Sequence, residues 1–283
     1  MEEVELTEIT PGVQHPTRFL DRPGGRIAYD VAGEGPLVVC VPGMGDLRSV
    51  YRFLEPALVG AGYRVATMDL RGHGESDATF ADYDDIAAGT DVVALLAELG
   101  GGPAVLMGNS MGAGVAAWAA AEAPNLVAAL VLIGPFVRDA PTGRGAGLAF
   151  RLALLRPWGP TAWSAWYARL YPGRAPADLP AHRERIRESL RRPGHWRAFV
   201  ATTHTSHAPV ETRLGDVTAR TLVVMGDRDP DFGDPAAEAA FVADRFRGRV
   251  LMVPGAGHYP HAEYPEIVNP AILDFLRGEA GHA

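Results

Sequence analysis

Six short apolar runs recur along the chain and restrict the folds that it can adopt. They are Leu37–Val41, Tyr63–Leu70, Ala104–Met107, Leu126–Ile133, Arg220–Met225 and Arg249–Val253. A strand with little polar alternation is typical of a parallel sheet, which is covered on both faces. Segments with helical apolar spacing lie between or after these runs, at about Ser49–Gly60, Asp84–Leu99, 111–123, Pro235–Phe246 and Pro265–Arg277. Strands that alternate with helices predict an α/β fold: a doubly wound, mostly parallel sheet flanked by helices.

The alternation has two exceptions. Near the start, Thr17–Leu20 and Arg26–Val31 are joined by Pro23-Gly-Gly25, and we expect this hairpin to add an antiparallel edge to the sheet. Between residues 137 and 215 the alternation stops, and helical spacing comes in pieces, at Leu148–Leu155, Ala162–Leu170, His182–Leu190 and Trp196–His204. The sheet pattern then resumes, so we predict one core made of residues 1–136 and 216–283, with residues 137–215 inserted as a helical cap.

Four of the five tryptophans fall within the predicted cap: Trp158, Trp163, Trp166 and Trp196. Aromatic side chains at helical spacing mostly pack a core. Here they either pack the cap onto the sheet domain or line an apolar substrate pocket, and the sequence leaves both open. It does not identify substrate-binding residues.

Composition excludes several classes of partner. A net charge of -8 disfavours nucleic acid, whose phosphates require a basic surface. No run of 18 apolar residues is available to span a membrane, and Met1–Glu8 lacks the apolar core of a signal peptide, so we expect a cytoplasmic protein. The single cysteine, Cys40, lies in an apolar run and is expected to fill core space. The expected partner is a small apolar molecule, and the oligomeric state is left open.

Ser110 is the candidate nucleophile. The segment Val105–Gly114 predicts a strand, a sharp turn at Ser110 and a helix, with Gly108 and Gly112 two residues to either side. A serine at such a turn is held in a strained conformation that exposes its hydroxyl, and small neighbours are needed because Cβ atoms would collide. The pattern is short, so the chemistry also requires a base, an acid and an oxyanion site.

Polar residues follow two other predicted strands, at the end of the sheet where ligands bind in this fold class. Asp227 and Asp229 follow Arg220–Met225, and His258 follows Arg249–Val253. A serine hydroxyl needs an adjacent base, which His258 can supply, and an aspartate can fix the imidazole tautomer.

The developing oxyanion needs preorganised donors. The Met111 N–H, at the start of the helix, and the Met44 N–H, in the loop Pro42-Gly-Met-Gly45, are the candidates.

Four motifs together resemble the α/β-hydrolase superfamily: Gly108-Asn-Ser-Met-Gly112, Asp69-Leu-Arg-Gly-His-Gly-Glu-Ser76, Val224-Met-Gly-Asp-Arg-Asp229 and Gly255-Ala-Gly-His258. The resemblance covers about residues 17–277 apart from the cap. It implies a triad of Ser110, Asp229 and His258, because the acid of relatives lies three residues after the strand-end glycine. Asp227 ranks below Asp229, and Asp139 is a distant third. The chain departs from the commonest relatives in having Pro42-Gly43 where they have His-Gly.

The resemblance implies a cofactor-free serine hydrolase that cleaves a carboxylic ester or lactone through an acyl-enzyme. An aspartate nucleophile, as in haloalkane dehalogenases and epoxide hydrolases, is excluded by Ser110. A carbon–carbon hydrolase is an alternative, because meta-cleavage-product hydrolases share the Gly-Asn-Ser-Met-Gly motif. Those enzymes usually have a longer oxyanion loop and a tryptophan where this chain has Tyr259. A ligand-sensing protein with a retained triad and a peroxide-dependent perhydrolase are further alternatives.

Three histidines outside the triad, His73, His204 and His207, are candidates for other roles. His73 lies in the Arg71–Asp77 loop, and we expect it to brace the site without taking part in chemistry. His204 and His207 have a spacing that places two imidazoles on one face of a helix. A zinc site needs three or four ligands, and no further partners are evident, so we predict no metal site.

Overall fold

The computed structural model describes residues 15–139 and 152–278. Eight strands form one sheet in the order β1-β2-β4-β3-β5-β6-β7-β8. Only β2 pairs antiparallel, with β1 and β4; all other pairings are parallel. The predicted α/β fold and its antiparallel edge are therefore confirmed. The strands are β1 Arg18–Arg22, β2 Gly25–Ala32, β3 Leu37–Val41, β4 Arg64–Met68, β5 Ala104–Asn109, β6 Val127–Ile133, β7 Arg220–Gly226 and β8 Arg249–Val253.

Helices cover both faces of this sheet, because consecutive strand residues point to opposite sides. Val39 faces one core, shared with the helices Asp85–Leu99, Met111–Glu122 and Pro235–Phe246. Cys40 faces the other, shared with the helices Glu55–Gly60 and Pro265–Arg277. The described 3₁₀ turns are Arg48–Tyr51, Pro124–Leu126 and Leu214–Asp216, and a short helix spans Pro260–Glu263.

The register aligns the carboxyl ends of the parallel strands. Val41 of β3 pairs with Gly108 of β5, and Asn109 pairs with Ile133 of β6. Gly226 of β7 pairs with Val253 of β8. The loops that follow these strands therefore lie side by side along one edge, where the sequence places its candidate polar residues.

Residues 152–216, which lie between β6 and β7 along the chain, are here called the insertion. Its helices are Gly159–Arg169, Leu179–Arg191, His195–Thr202 and Ala208–Glu211. Trp163 and Trp196 are buried, whereas Trp158 is 54% exposed. Trp163 and Trp196 belong to the buried apolar cluster that also contains Cys40 of β3. Residues 148–151 of the predicted helix Leu148–Leu155 lie outside the described residues.

Two predicted helices differ from the structure. Ser49–Gly60 is divided into a 3₁₀ turn and the short helix Glu55–Gly60, which has Pro56 in its first turn. Proline is favoured in the first turn of a helix and disfavoured in its interior, because it lacks an N–H and its ring collides with the preceding turn. The second, predicted as Trp196–His204, ends at Thr202, so His204 and His207 do not share a helix face.

Among residues 15–139 and 152–278, none of the helices is both long enough and apolar enough to cross a membrane.

Candidate active site

Ser110 lies at the turn between β5 and the helix Met111–Glu122. Its backbone has φ 57° and ψ -126°, a conformation that costs a residue with a side chain about 1–3 kcal/mol. The Ser110 N–H donates to the Ile133 carbonyl at 2.9 Å, and the Ser110 carbonyl accepts from the Phe136 N–H at 3.3 Å. The end of β6 thus holds the strained turn in place. Ser110 is partly exposed, so its side chain is open to a reactant.

Glycines permit the close packing around this turn. A Cβ at Gly108 would overlap the Gly112 carbonyl, and a Cβ at Gly112 would overlap the Val41 carbonyl at the end of β3. A Cβ at Gly43 would lie 2.8 Å from Cβ of Ser110. The motif spacing is therefore a steric requirement, and it brings the loop after β3 against the serine.

His258 and Asp229 form a buried pair on the neighbouring strand ends. Nδ1 of His258 lies 2.7 Å from Oδ2 of Asp229, and the two side chains are 1% and 0% exposed. The His258 N–H donates to the Leu170 carbonyl of the insertion at 2.9 Å. The predicted acid and base are therefore adjacent, and the Nδ1 contact leaves Nε2 as the nitrogen free for a reactant. Within the described chain no hydrogen bond joins the Ser110 hydroxyl to His258.

A second carboxylate, which the sequence analysis missed, faces the same nitrogen. Oδ2 of Asp231 lies 3.7 Å from Nδ1 of His258. Burial alone would lower the pKa of His258, but the carboxylates of Asp229 and Asp231 outweigh it and raise that pKa to about 9. Burial also raises the pKa of Asp231, against the attraction of His258. The spacing of two aspartates two residues apart was the available signal.

The same three side chains are the described group that most resembles a metal site. Asp229, Asp231 and His258 each offer one ligand atom, and these atoms lie within 4.8 Å of one another. Two carboxylates and an imidazole suit a divalent cation. A metal on Nδ1 would, however, require that nitrogen to lose the proton that it shares with Asp229. The hydrogen-bonded pair is the arrangement present in the structure.

The loop after β3 forms a tight turn beside the serine. The Asp46 N–H donates to the Gly43 carbonyl at 3.3 Å, with Met44 and Gly45 between them. Gly45 has φ +71°, which glycine adopts without strain. On the other side of Ser110, Met111 is the first residue of its helix, so its N–H has no partner within the helix. The two predicted oxyanion donors thus belong to the two segments that flank the nucleophile.

Glu263 is a further supporting residue that sequence reasoning missed. Its side chain is buried, and its two oxygens accept from the Gly257 N–H at 2.6 Å and the Gly173 N–H at 2.9 Å. It therefore ties the loop that carries His258 to the insertion. Burial raises the pKa of Glu263, and the hydrogen bonds from these two backbone groups oppose that effect.

The other acids and histidines considered from sequence lie elsewhere. Asp227 is exposed and accepts from the Gly255 N–H at 2.7 Å. Asp139 accepts from Ser206 and from the His207 N–H. His73 is buried, and its Nδ1 lies 2.8 Å from the Arg71 carbonyl within the same loop.

A strained serine at a helix start, beside a buried histidine–aspartate pair on a mostly parallel sheet, defines the class of α/β hydrolases. The chain belongs to the alpha/beta hydrolase family, whose model matches residues 38–271. The resemblance drawn from the motifs is thereby confirmed, and the chain is a hydrolase by family.

Similar proteins have varied substrates. The 2-(acetamidomethylene)succinate hydrolase of Mesorhizobium japonicum is 30% identical over 278 residues, which cover 89% of this chain and 92% of that protein. The 2-hydroxy-6-oxononadienedioate/2-hydroxy-6-oxononatrienedioate hydrolase of Comamonas testosteroni is 30% identical over 264 residues, covering 89% and 91%. The solved structure of a thermophilic esterase from Thermogutta terrifontis matches with a TM-score of 0.74 and 26% identity, covering 94% of this chain and 99% of that one.

Proposed function

We propose that the protein is a serine hydrolase that cleaves a carboxylic ester or lactone through an acyl-enzyme, with Ser110, His258 and Asp229 as its triad. The observation that carries the proposal is the juxtaposition of a strained, partly exposed Ser110 with the buried His258–Asp229 pair. The side-chain amide of Asn109, the residue before Ser110, donates to the backbone carbonyl of His258 at 3.2 Å and joins the two segments. A hydroxyl at this position needs only an adjacent base to become a nucleophile.

The reaction follows from the positions of these groups. The Ser110 oxygen attacks the acyl carbonyl carbon, and Nε2 of His258 takes the hydroxyl proton while Asp229 stabilises the imidazolium. The carbonyl electrons move onto oxygen, where the Met44 and Met111 N–H groups donate to the oxyanion. The tetrahedral intermediate expels the alcohol, which takes the proton from His258. Water then attacks the acyl-enzyme with the same proton transfers and releases the acid and free Ser110.

A carbon–carbon hydrolase is the second candidate. It is favoured by the 30% identity to the hydrolase from Comamonas testosteroni, whose substrate is a dienedioate or trienedioate. The same nucleophile and base would serve, but a carbon rather than an oxygen would receive the proton from His258. The shorter loop Pro42–Gly45 and Tyr259 after the histidine favour the ester or lactone.

The test combines active-site labelling with a substrate series. A fluorophosphonate should label Ser110 in the wild type, and p-nitrophenyl esters of increasing chain length should be hydrolysed with a preference that reports the pocket size. Ser110→Ala should abolish both. Ser164→Ala, which removes a hydroxyl 3.0 Å from Arg183 in the insertion, should change neither.

Three results would change the assignment. If ester hydrolysis survives Ser110→Ala, Ser110 is not the nucleophile. Turnover of a dienoate acid but of no ester would favour the carbon–carbon hydrolase. Tight binding of an ester without turnover would indicate a sensing protein in place of an enzyme.

A further inference from the structure

The turn that carries the Met44 N–H is held by residues of the insertion as well as by its own backbone. A Cβ at Gly45 would lie 2.5 Å from Trp163 and 2.7 Å from Phe199, so both aromatic side chains pack directly on the turn. Nε1 of Trp163 donates to the Gly45 carbonyl at 3.3 Å. The insertion therefore contacts the backbone of the turn as well as the surface of the sheet domain.

Asp46 ends the turn and is the centre of a buried polar cluster. Its side chain is 1% exposed. Oδ1 accepts from the Leu47 N–H at 2.7 Å and lies 2.9 Å from Nε2 of His182. Oδ2 accepts from the Tyr167 hydroxyl at 2.8 Å. Two of these three partners belong to the insertion.

The charge of Asp46 fits this environment. Burial would raise the pKa of Asp46, but His182, the Leu47 N–H and the Tyr167 hydroxyl outweigh it, so the pKa is lowered. The carboxylate is therefore ionised at neutral pH. A buried carboxylate must be met by hydrogen-bond donors, and these donors fix its geometry because their hydrogen bonds are directional.

We propose that the insertion positions the oxyanion donor: Trp163, Tyr167 and His182 fix the turn Gly43–Asp46 through Asp46 and the Gly45 carbonyl, and thereby aim the Met44 N–H at the reacting carbonyl oxygen. The inference rests on the proposed function, in which Met44 supplies that donor. Asp46, Tyr167 and His182 are positioning residues, because they act through Met44 and not on the substrate. The insertion then controls the rate of the chemical step in addition to any effect on substrate binding.

The test uses Tyr167→Phe, which removes one hydroxyl from Asp46, and Asp46→Asn, which removes the charge and keeps the shape. Tyr171→Phe is the matched control, because its hydroxyl lies 3.2 Å from that of Tyr167 and makes no hydrogen bond to Asp46 in the described structure. Asp178→Asn is a second control, since it breaks a contact of the insertion with Arg52 at 2.6 Å that is away from the turn.

Amide hydrogen exchange of a peptide covering residues 43–50 gives a readout that does not depend on turnover. We expect about 10- to 100-fold faster exchange in Tyr167→Phe and Asp46→Asn, because each loses a hydrogen bond that involves a charged group. We expect kcat for an ester to fall by about tenfold or more at unchanged KM, because the oxyanion forms only after substrate is bound. Both controls should resemble the wild type in exchange and in kcat.

Each outcome bears on a separate claim. Unchanged exchange in both variants would overturn the inference, whatever the substrate. Faster exchange with unchanged kcat would overturn the link between the turn and oxyanion stabilisation. If Ser110 is still labelled in that case, its assignment as the nucleophile stands. A rise in KM alone would also overturn it, since it would assign the cluster to substrate binding. If the wild type neither hydrolyses esters nor reacts with the fluorophosphonate, the proposed function fails, and the exchange experiment still decides whether the insertion holds the turn.

Discussion

Asp231→Asn removes one of the two carboxylates that face Nδ1 of His258, at 3.7 Å. Two charges about 4 Å apart interact by about 1 kcal/mol in water and about 4 kcal/mol near a protein surface, and one pKa unit corresponds to about 1.4 kcal/mol. Because the Asp231 side chain is 18% exposed, we place the effect between these limits. The pKa of His258, about 9 in the wild type, should therefore fall by about one to three units.

The consequence for catalysis has a definite sign. The base must be neutral to accept the serine proton, so kcat/KM rises with pH through the pKa of His258. In Asp231→Asn the pH at which the rate rises should move lower. The rate near neutral pH should increase by about tenfold for each unit of the shift until the pKa of His258 reaches neutral pH, and no further below that. The plateau at high pH should fall, because a less basic imidazole is a weaker proton acceptor.

The assay is the pH dependence of kcat/KM for a p-nitrophenyl ester, from about pH 5 to about pH 10, corrected for spontaneous hydrolysis. An NMR titration of the His258 ring measures the same pKa without turnover. Asp227→Asn is the matched control: it removes the same charge from the same loop, but Asp227 bonds the Gly255 N–H and not His258. The assignment of Asp231 as a second acid acting on His258 would be refuted if Asp231→Asn shifts neither the pH dependence of kcat/KM nor the NMR titration of the His258 ring.

Three further predictions concern the fold. Gly108→Ala should lower Tm by several degrees in thermal unfolding, because its Cβ would overlap a backbone carbonyl, whereas Gly215→Ala, with nothing within 4 Å, should not. Arg48→Ala should destabilise the protein by about 3–5 kcal/mol in urea unfolding, because it leaves the fully buried Asp69 without its cation. Since the folded-state pKa of His258, about 9, lies above its ordinary value of 6.5, protonated His258 stabilises the fold below pH 6.5. That contribution should disappear as pH rises through about 9, as measured by urea unfolding of the wild type against His258→Gln.

The outcomes that would contradict these three expectations differ. Equal melting temperatures for the two glycine variants would mean that the elbow relaxes around a methyl group. A loss below about 1 kcal/mol for Arg48→Ala would show that Asp69 is solvated or protonated in the variant. A stability difference between wild type and His258→Gln that does not change with pH would show that the pKa of His258 is not raised.

The parts of the fold that were predicted correctly depend on neighbours in sequence. The helix Pro235–Phe246 and the strand β8 have their predicted bounds because each carries an uninterrupted apolar period between clear breakers. The prediction of one helix over Ser49–Gly60 was wrong because it followed the apolar spacing and neglected Pro56. That proline is a local signal of a helix start and was present in the sequence.

The candidate site divides in the same way. The sequence placed Ser110, Asp229 and His258 after three strands, β5, β7 and β8, and a parallel sheet necessarily brings the carboxyl ends of its strands to one edge. It carried a signal for Asp231 only in the two-residue spacing from Asp229, and none for Glu263 or the cluster around the Asp46 carboxylate, because no periodicity reports how a polar side chain packs against a distant segment.

By itself, then, the sequence determined the class of fold. It also yielded a hypothesis for the nucleophile, its base and its acid. Apolar periodicity and glycine spacing are local properties, and they dictate strands, helices and the steric room at Ser110. Only the tertiary structure decided which buried charges face His258 and how the insertion meets the oxyanion turn. Asp46 and His182 are 136 residues apart, yet they lie 2.9 Å from each other. Contacts of this kind are set by the packing of whole elements and not by any pattern within either segment. A buried charge is costly unless it meets such partners, so the packing must bring them together.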